Sequence, residues 1–279
     1  MRKIARPELV ARDVFVTCIS NIADNDLQNR LRACEELVVT ASTEFGTKVL
    51  PPTLHTINRE TVINGNVSYQ ELNKVYTQWM VPKTSPGRAI YEELRDVTKL
   101  AKCPLCSQRK VSTLDHHLSK TEYPILSVTP LNLVPSCTDC NKAKLAKYPK
   151  CAEEETLHPY FDDIENIKWL EAEVIQTSPP AVRYFVSKAP EIEVVLQKRI
   201  ENHFLVLSLA DLYSWEAGEE MSEIRHQLSS LYKAGGVKDV RAHLLEEEET
   251  RSKVNLNSWK AVMYRTLAND EWYCEKGWE

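Results

Sequence analysis

Cys103-Pro104-Leu105-Cys106 and Cys137-Thr138-Asp139-Cys140 bracket a segment whose centre reads Leu114-Asp115-His116-His117, and the second pair runs straight on into Asn141-Lys142-Ala143-Lys144. Each Cys-x-x-Cys can grip one ion from a single tight turn. Two such grips complete the tetrahedral four-sulfur shell of zinc, with Zn–S bonds of about 2.3 Å. A shell of four sulfurs has no open position, so this zinc is expected to be structural. In small modules such binding supplies folding free energy on the order of 10–16 kcal/mol. Two disulfides, or four unpaired thiols, are the alternatives.

The rest of the chain sets limits on that reading. At 279 residues and 43% hydrophobic content it can build one large domain or two smaller ones. No apolar run approaches the roughly 18–20 residues of a membrane helix, and Met1-Arg2-Lys3-Ile4-Ala5-Arg6-Pro7 leads into no secretory-type apolar segment. The expected location is the cytoplasm, with no membrane partner, where reducing conditions keep thiols available for metal. Of the other cysteines, Cys18 and Cys34 read as core residues, while Cys151 and Cys274 stand alone. The net charge of -5 argues against a general nucleic-acid coat. Residues 99–150, however, carry nine Lys/Arg against three Asp/Glu. A basic module inside an acidic chain is the footprint of one face meeting phosphates, the alternative being a solvated lysine face.

Hydrophobic periodicity predicts a mostly helical α+β protein in three regions: a helical and loop-rich 1–98, the cysteine module at 99–150, and a mainly helical 151–279. Residues 24–40 carry Leu27, Leu31, Cys34, Leu37 and Val38 at helical spacing, and Tyr91 to Leu100 gives a second amphipathic stretch. The segment between them reads as loops, with a short strand pair, Glu60 to Ile63 and Val67 to Tyr69, across Asn64-Gly65. In the module, Val111 to Leu114 is β-prone, Tyr123 to Pro135 is punctuated by proline, and Ser136 is the expected cap of a helix from Cys137 to about Leu145. Beyond it, Glu191 to Tyr213, Glu220 to Tyr232, Val237 to Glu248 and Leu256 to Leu267 have helical spacing. Trp169 to Ile175 and Ala181 to Val186 form a candidate strand pair across Ser178-Pro179-Pro180.

Four cysteines already saturate the zinc, so Asp115, His116 and Asn141 need another account. Asp and Asn side-chain oxygens are hard ligands suited to Mg²⁺ or Mn²⁺, and a strand carrying Asp115 and a helix carrying Asn141 in its first turn could bring them to one labile ion. At this point the residues carry a resemblance. Leu114-Asp115-His116-His117-Leu118-Ser119-Lys120, Asn132-Leu133-Val134-Pro135 and Cys137-x-x-Cys140-Asn141-Lys142-x-Lys144 resemble the HNH endonuclease family in its zinc-stapled form, over about residues 100–147.

The resemblance implies a ββα-metal core and hydrolysis of phosphodiester bonds in DNA. It implies His116 as the base that activates water, Asp115 and Asn141 as ligands of the catalytic cation, and Asn132 as the residue that holds the loop between the strands. A neutral imidazole can take a proton from water at physiological pH, and a divalent ion can stabilise the developing charge. Neighbouring side chains in a strand face opposite sides, so His117 is expected to pack rather than share the substrate with His116. Lys120, Lys142 and Lys144 would contact phosphates. Because Lys142 and Lys144 diverge by about 200° on a helix, at most one of those two faces the scissile group. The layout, a zinc-HNH module between helical flanks, resembles bacterial antiphage or mobile-element nucleases, some acting beside an ATPase or other defence-system protein.

Two flanking features have blander readings. His158-Pro159-Tyr160-Phe161-Asp162-Asp163 reads as a structural turn rather than a further ligand set, and the aromatic tail from Trp259 to Cys274 reads as core rather than a base-stacking platform. The alternative function is a non-catalytic, zinc-stapled nucleic-acid-binding or adaptor protein. The combination of Asp115, His116 and Asn141 argues for the enzyme, because a binding module has no need of it.

Overall fold

The computed structural model describes residues 1–59, 62–63, 66–144, 148–188 and 191–279. The chain divides into two compact units, Met1–Asp163 and Ile164–Glu279, and is a mostly helical α+β protein.

The first unit begins with α1 (Ala11–Ile19), α2 (Asn25–Arg32) and α3 (Glu35–Lys48). The single helix expected over 24–40 is thus two helices. Asp24 caps α2 by accepting from the Leu27 N–H, and the chain turns at Ala33-Cys34, where the Cys34 N–H donates to the Leu31 carbonyl. Periodicity concealed the break because Leu27 and Leu31 before it, and Cys34 and Val38 after it, all enter one core. Cys18 is buried there too, as expected.

The stretch read as loops holds β1 (Val62–Ile63), β2 (Val67–Ser68) and a helix that the loop reading passed over, α4 (Tyr69–Trp79). The two strands pair antiparallel as expected, and their Asn64-Gly65 turn lies outside the described residues. A capping box starts α4. The Glu71 N–H donates to Ser68 Oγ at 3.4 Å, while Glu71 Oε2 accepts from the Ser68 N–H at 2.8 Å. Next, α5 (Arg88–Asp96) starts before Tyr91 and ends short of Leu100, where Leu100 and Ala101 both take positive φ and turn the chain into the cysteine module.

Within the module, β3 (Thr113–His116) pairs antiparallel with β4 (Leu133–Ser136), and α6 (Thr138–Lys144) follows at once and lies against β3. The strand lies two residues later than Val111 to Leu114, because Val111 is taken by the first cysteine loop, its N–H donating to the Ala101 carbonyl. Ser136 is the last residue of β4, opposite Thr113, and caps nothing. Its place is taken by Cys137, whose Sγ accepts from the Cys140 N–H at 3.4 Å. Leu145, the expected helix end, lies outside the described residues.

The register explains how Pro135 fits a strand. The His117 N–H donates to the Asn132 carbonyl, so by antiparallel alternation Asp115 opposite Val134 exchanges bonds and Leu114 opposite Pro135 does not. The missing proline N–H is therefore not needed by β3. Leu114 sends its carbonyl sideways, where Tyr76 Oη (3.4 Å) and Asn141 Nδ2 (3.3 Å) donate to it. On the far side of the pair the Leu133 carbonyl accepts from Tyr160 Oη at 2.9 Å. Leu114, Val128 and Leu133 share one core with side chains of α1 to α5, so residues before and after position 98 fold together.

In the second unit β5 (Leu170–Ile175) and β6 (Ala181–Val186) form the expected antiparallel pair. The run from Glu191 to Tyr213 is broken at Ser208, in the left-handed region, between α7 (Val194–Val206) and α8 (Leu209–Gly235). The stretch Glu220 to Tyr232 is part of α8; α9 (Val237–Ser252) and α10 (Trp259–Asn269) complete the unit. Trp259, Tyr264, Tyr273 and Cys274 are buried, so the aromatic tail is core. No helix among the described residues is long and apolar enough to cross a membrane.

Glu71 also receives Arg30 Nη2 at 2.8 Å; that hydrogen bond first, then the Ser68 backbone, lowers its pKa from 4.5 to about 2. A carboxylate held below its unfolded value contributes stability that is complete above about pH 4.5 and is lost as the pH falls through about 2. Urea unfolding of wild type should therefore weaken across that window more than unfolding of Glu71→Gln. At pH 7, Ser68→Ala should lose about 1 kcal/mol.

Candidate metal centre

Cys103, Cys106, Cys137 and Cys140 are all buried and reduced, and their sulfurs lie within 4.8 Å of one another. A tetrahedron with Zn–S bonds of about 2.3 Å has edges of about 3.8 Å, so the four sulfurs are positioned to hold Zn²⁺. The disulfide alternative is removed by the same observation. Two local structures aim the sulfurs. In the first, Lys102 and Lys110 pair as an isolated bridge and the Cys103 N–H donates to the Arg109 carbonyl. Ser107 takes φ +59° to close that turn, and the Arg109 N–H donates to Cys106 Sγ. In the second, Cys137 and Cys140 sit at the start of α6. Arg109 and Asp139, one from each loop, form an ion pair at 3.0 Å.

Crowding spreads the thiol pKa values apart. Hydrogen bonds within the cluster, that from Cys103 first, pull Cys137 down to about 7 and push Cys106 below the thiol range; the same kind of contact raises Cys103 and Cys140. Four thiolates cannot coexist there without a compensating cation, so metal binding must expel the remaining protons.

Beside the cluster, β3 sends its side chains to two faces. Leu114 enters the shared core, and half-buried His116 lies on the same face, where its ring packs edge-on to Tyr76 at 4.5 Å between centroids and Nε2 meets the Ser127 carbonyl at 2.8 Å. A carbonyl can only accept, so Nε2 carries the hydrogen and Nδ1 is the basic atom. Burial, opposed by the Ser127 bond, lowers the His116 pKa to about 3 and keeps the ring neutral through the physiological range.

Asp115 faces α6. Its Oδ2 accepts from Lys144 Nζ at 2.6 Å, and burial raises its pKa while Lys144 pulls it back. Asn141, on the same helix, points Nδ2 at the Leu114 carbonyl. The structure thus brings Asp115, Asn141 and Lys144 to one side of β3 and places His116 on the other. Lys142 is exposed and Lys120 half-buried, whereas Lys144, expected at a phosphate, is turned inward.

Asn132 is fully buried and holds the loop between the strands. Its Oδ1 accepts from the Leu118 N–H at 2.7 Å, and its Nδ2 donates to the Leu118 and Leu126 carbonyls at 3.0 and 3.2 Å. His117 packs on His158, with rings 4.2 Å apart, beneath Phe45. The 158–163 segment is a turn, with the Phe161 and Asp162 N–H groups on the His158 carbonyl and the His158 N–H on Asp162.

Over 231 residues the chain is 31% identical to protein ea31 of Escherichia phage lambda, an alignment covering 78% of each protein. The chain belongs to the ea31 family. No family model matches it, and no solved structure does. Within this ea31-family chain, sequence reasoning missed Tyr76, Ser127 and the Asp115–Lys144 pair. The pattern Ser68-x-x-Glu71 announces the helix that carries Tyr76. Asn141 and Lys144, three apart, share a helix face, so a carboxylate meeting one is offered the other.

Native mass spectrometry should show one zinc per chain, lost in Cys103→Ser or Cys140→Ser. Asn132→Ala leaves the buried Leu118 N–H and carbonyl without partners and should cost about 2 kcal/mol or more in urea unfolding, with zinc retained.

Proposed function

We propose that this ea31-family chain is a metal-dependent endonuclease of the HNH type that hydrolyses phosphodiester bonds in DNA. The supporting observation is that α6, with Asn141 next to Cys140, lies against β3, with Asn141 donating to the Leu114 carbonyl and Lys144 to Asp115, while Asn132 holds the loop that carries Ser127. The antiparallel strand pair, the helix after it and the sulfur cluster support the ββα-metal reading.

Asp115 and Asn141 would hold a Mg²⁺ or Mn²⁺ ion, which when bound would stabilise charge on the phosphate and the leaving oxygen. Their donor chemistry fits. The Asp115 carboxylate already neutralises a cation, the Lys144 ammonium, and Asn141, with its Nδ2 on the Leu114 carbonyl, keeps Oδ1 as an oxygen donor. His116 would take the proton of water at Nδ1, held in that tautomer by Ser127. Lys142, exposed on α6, and Lys120 are the basic side chains that would position the backbone of DNA, by phosphate contacts that carry no sequence information. Kinship with a phage protein agrees with the mobile-element setting, and an ATPase or other defence-system partner belongs to the same reading.

A second reading is favoured by one observation. Lys144 occupies Asp115, as in a zinc-stapled adaptor that does no chemistry.

Incubation of the zinc-loaded protein with plasmid and with single-stranded DNA in Mn²⁺ or Mg²⁺ separates the two. The nuclease reading expects cleavage that drops at least about 100-fold in His116→Ala and Asp115→Asn, both retaining zinc. Cleavage by His116→Ala at the wild-type rate, or none by wild type with either ion, leaves the adaptor.

A further inference from the structure

Lys144, in α6, has its ammonium buried rather than in solvent; its side chain is 10% exposed and that of Asp115 6%. An ammonium has three hydrogens to place. All three find oxygen: Asp115 Oδ2 at 2.6 Å, the His116 carbonyl at 3.2 Å and the His117 carbonyl at 3.2 Å. One carboxylate and two backbone carbonyls are a hard-oxygen set of the kind a divalent cation also takes. The chain has therefore built a cation site beside its sulfur cluster and filled it with its own side chain.

A phosphate contact needs a lysine that reaches solvent, as the exposed Lys142 does. Lys144 does the opposite. Its ammonium and a metal ion in the same buried oxygen set compete for Asp115 Oδ2 and the two carbonyls, and repel at close range in a poorly solvated site. We infer that Lys144 is a tethered competitor for the cation site at Asp115, closing it to divalent ions until the lysine withdraws. This rests on the nuclease reading for the use of the site, but the competition is a property of binding and is measurable without turnover.

The test titrates Mn²⁺ into zinc-loaded, full-length wild type, Lys144→Gln, Lys144→Met and the double variant Lys144→Gln/Asp115→Asn, reading free ion by electron paramagnetic resonance. Both single variants should bind one Mn²⁺ at least about tenfold more tightly than wild type, and the double variant should lose that gain. In wild type, saturating Mn²⁺ should increase acetylation of Lys144 by acetic anhydride relative to Lys142, measured by peptide mass spectrometry. Where both Lys144 variants lose zinc or fold, the wild-type acetylation decides alone. Equal Mn²⁺ affinity in wild type and folded Lys144 variants, or unchanged Lys144 reactivity where those variants do not fold, overturns the competitor role and leaves the nuclease reading standing. Absence of Mn²⁺ binding in every protein overturns both the competitor role and the divalent-ion part of the proposed function.

Discussion

Four sulfurs that must converge on one ion constrain everything else in the central module. Two come from a tight loop before β3 and two from the first turn of the helix after β4, so the cluster joins the beginning of the module to its end. Two four-residue strands cannot stand alone in water. A cross-link that closes such a long loop restricts the unfolded chain most, and metal affinity is then folding free energy. Asn141, next to Cys140 in sequence, reaches the Leu114 carbonyl, one residue from Asp115, because α6 lies against β3.

The same module has no separate core. Leu114, Val128 and Leu133 pack with Phe15, Leu31 and Leu72 from the helices that precede it, and the Ser127 hydroxyl donates to the Leu72 carbonyl at 3.0 Å. The loop holding His116 is thereby fixed from two directions, by Asn132 within the module and by α4 outside it. Fixing the ring in this way sets its tautomer and also depresses its basicity, since burial is what lowers its pKa.

Legibility in the sequence followed the range of the interactions. The cysteine cluster could be read because its geometry is encoded in short spacings, and the β5–β6 pair because two β-rich runs flank a proline turn. Helices in the second unit were visible by periodicity, but Ser208 was not, since a kink that keeps apolar residues on one side leaves the pattern intact. The helix α4 was legible both in its cap and in Leu72, Val75, Tyr76 and Trp79 at helical spacing, but the turn residues on either side of it drew the whole stretch into a loop reading. The Asp115–Lys144 pair depends on how a strand and a helix 29 positions apart pack together, which no local pattern carries.

Pro135 has an effect beyond its own strand. Facing outward on β4, it offers no N–H to an approaching chain, while the outward carbonyls at Leu133 and Leu114 are already taken by Tyr160, Tyr76 and Asn141. With these groups withheld and β4 buried along its whole length, the ribbon gives foreign backbone little to pair with, which removes the route by which short exposed sheets turn into aggregates.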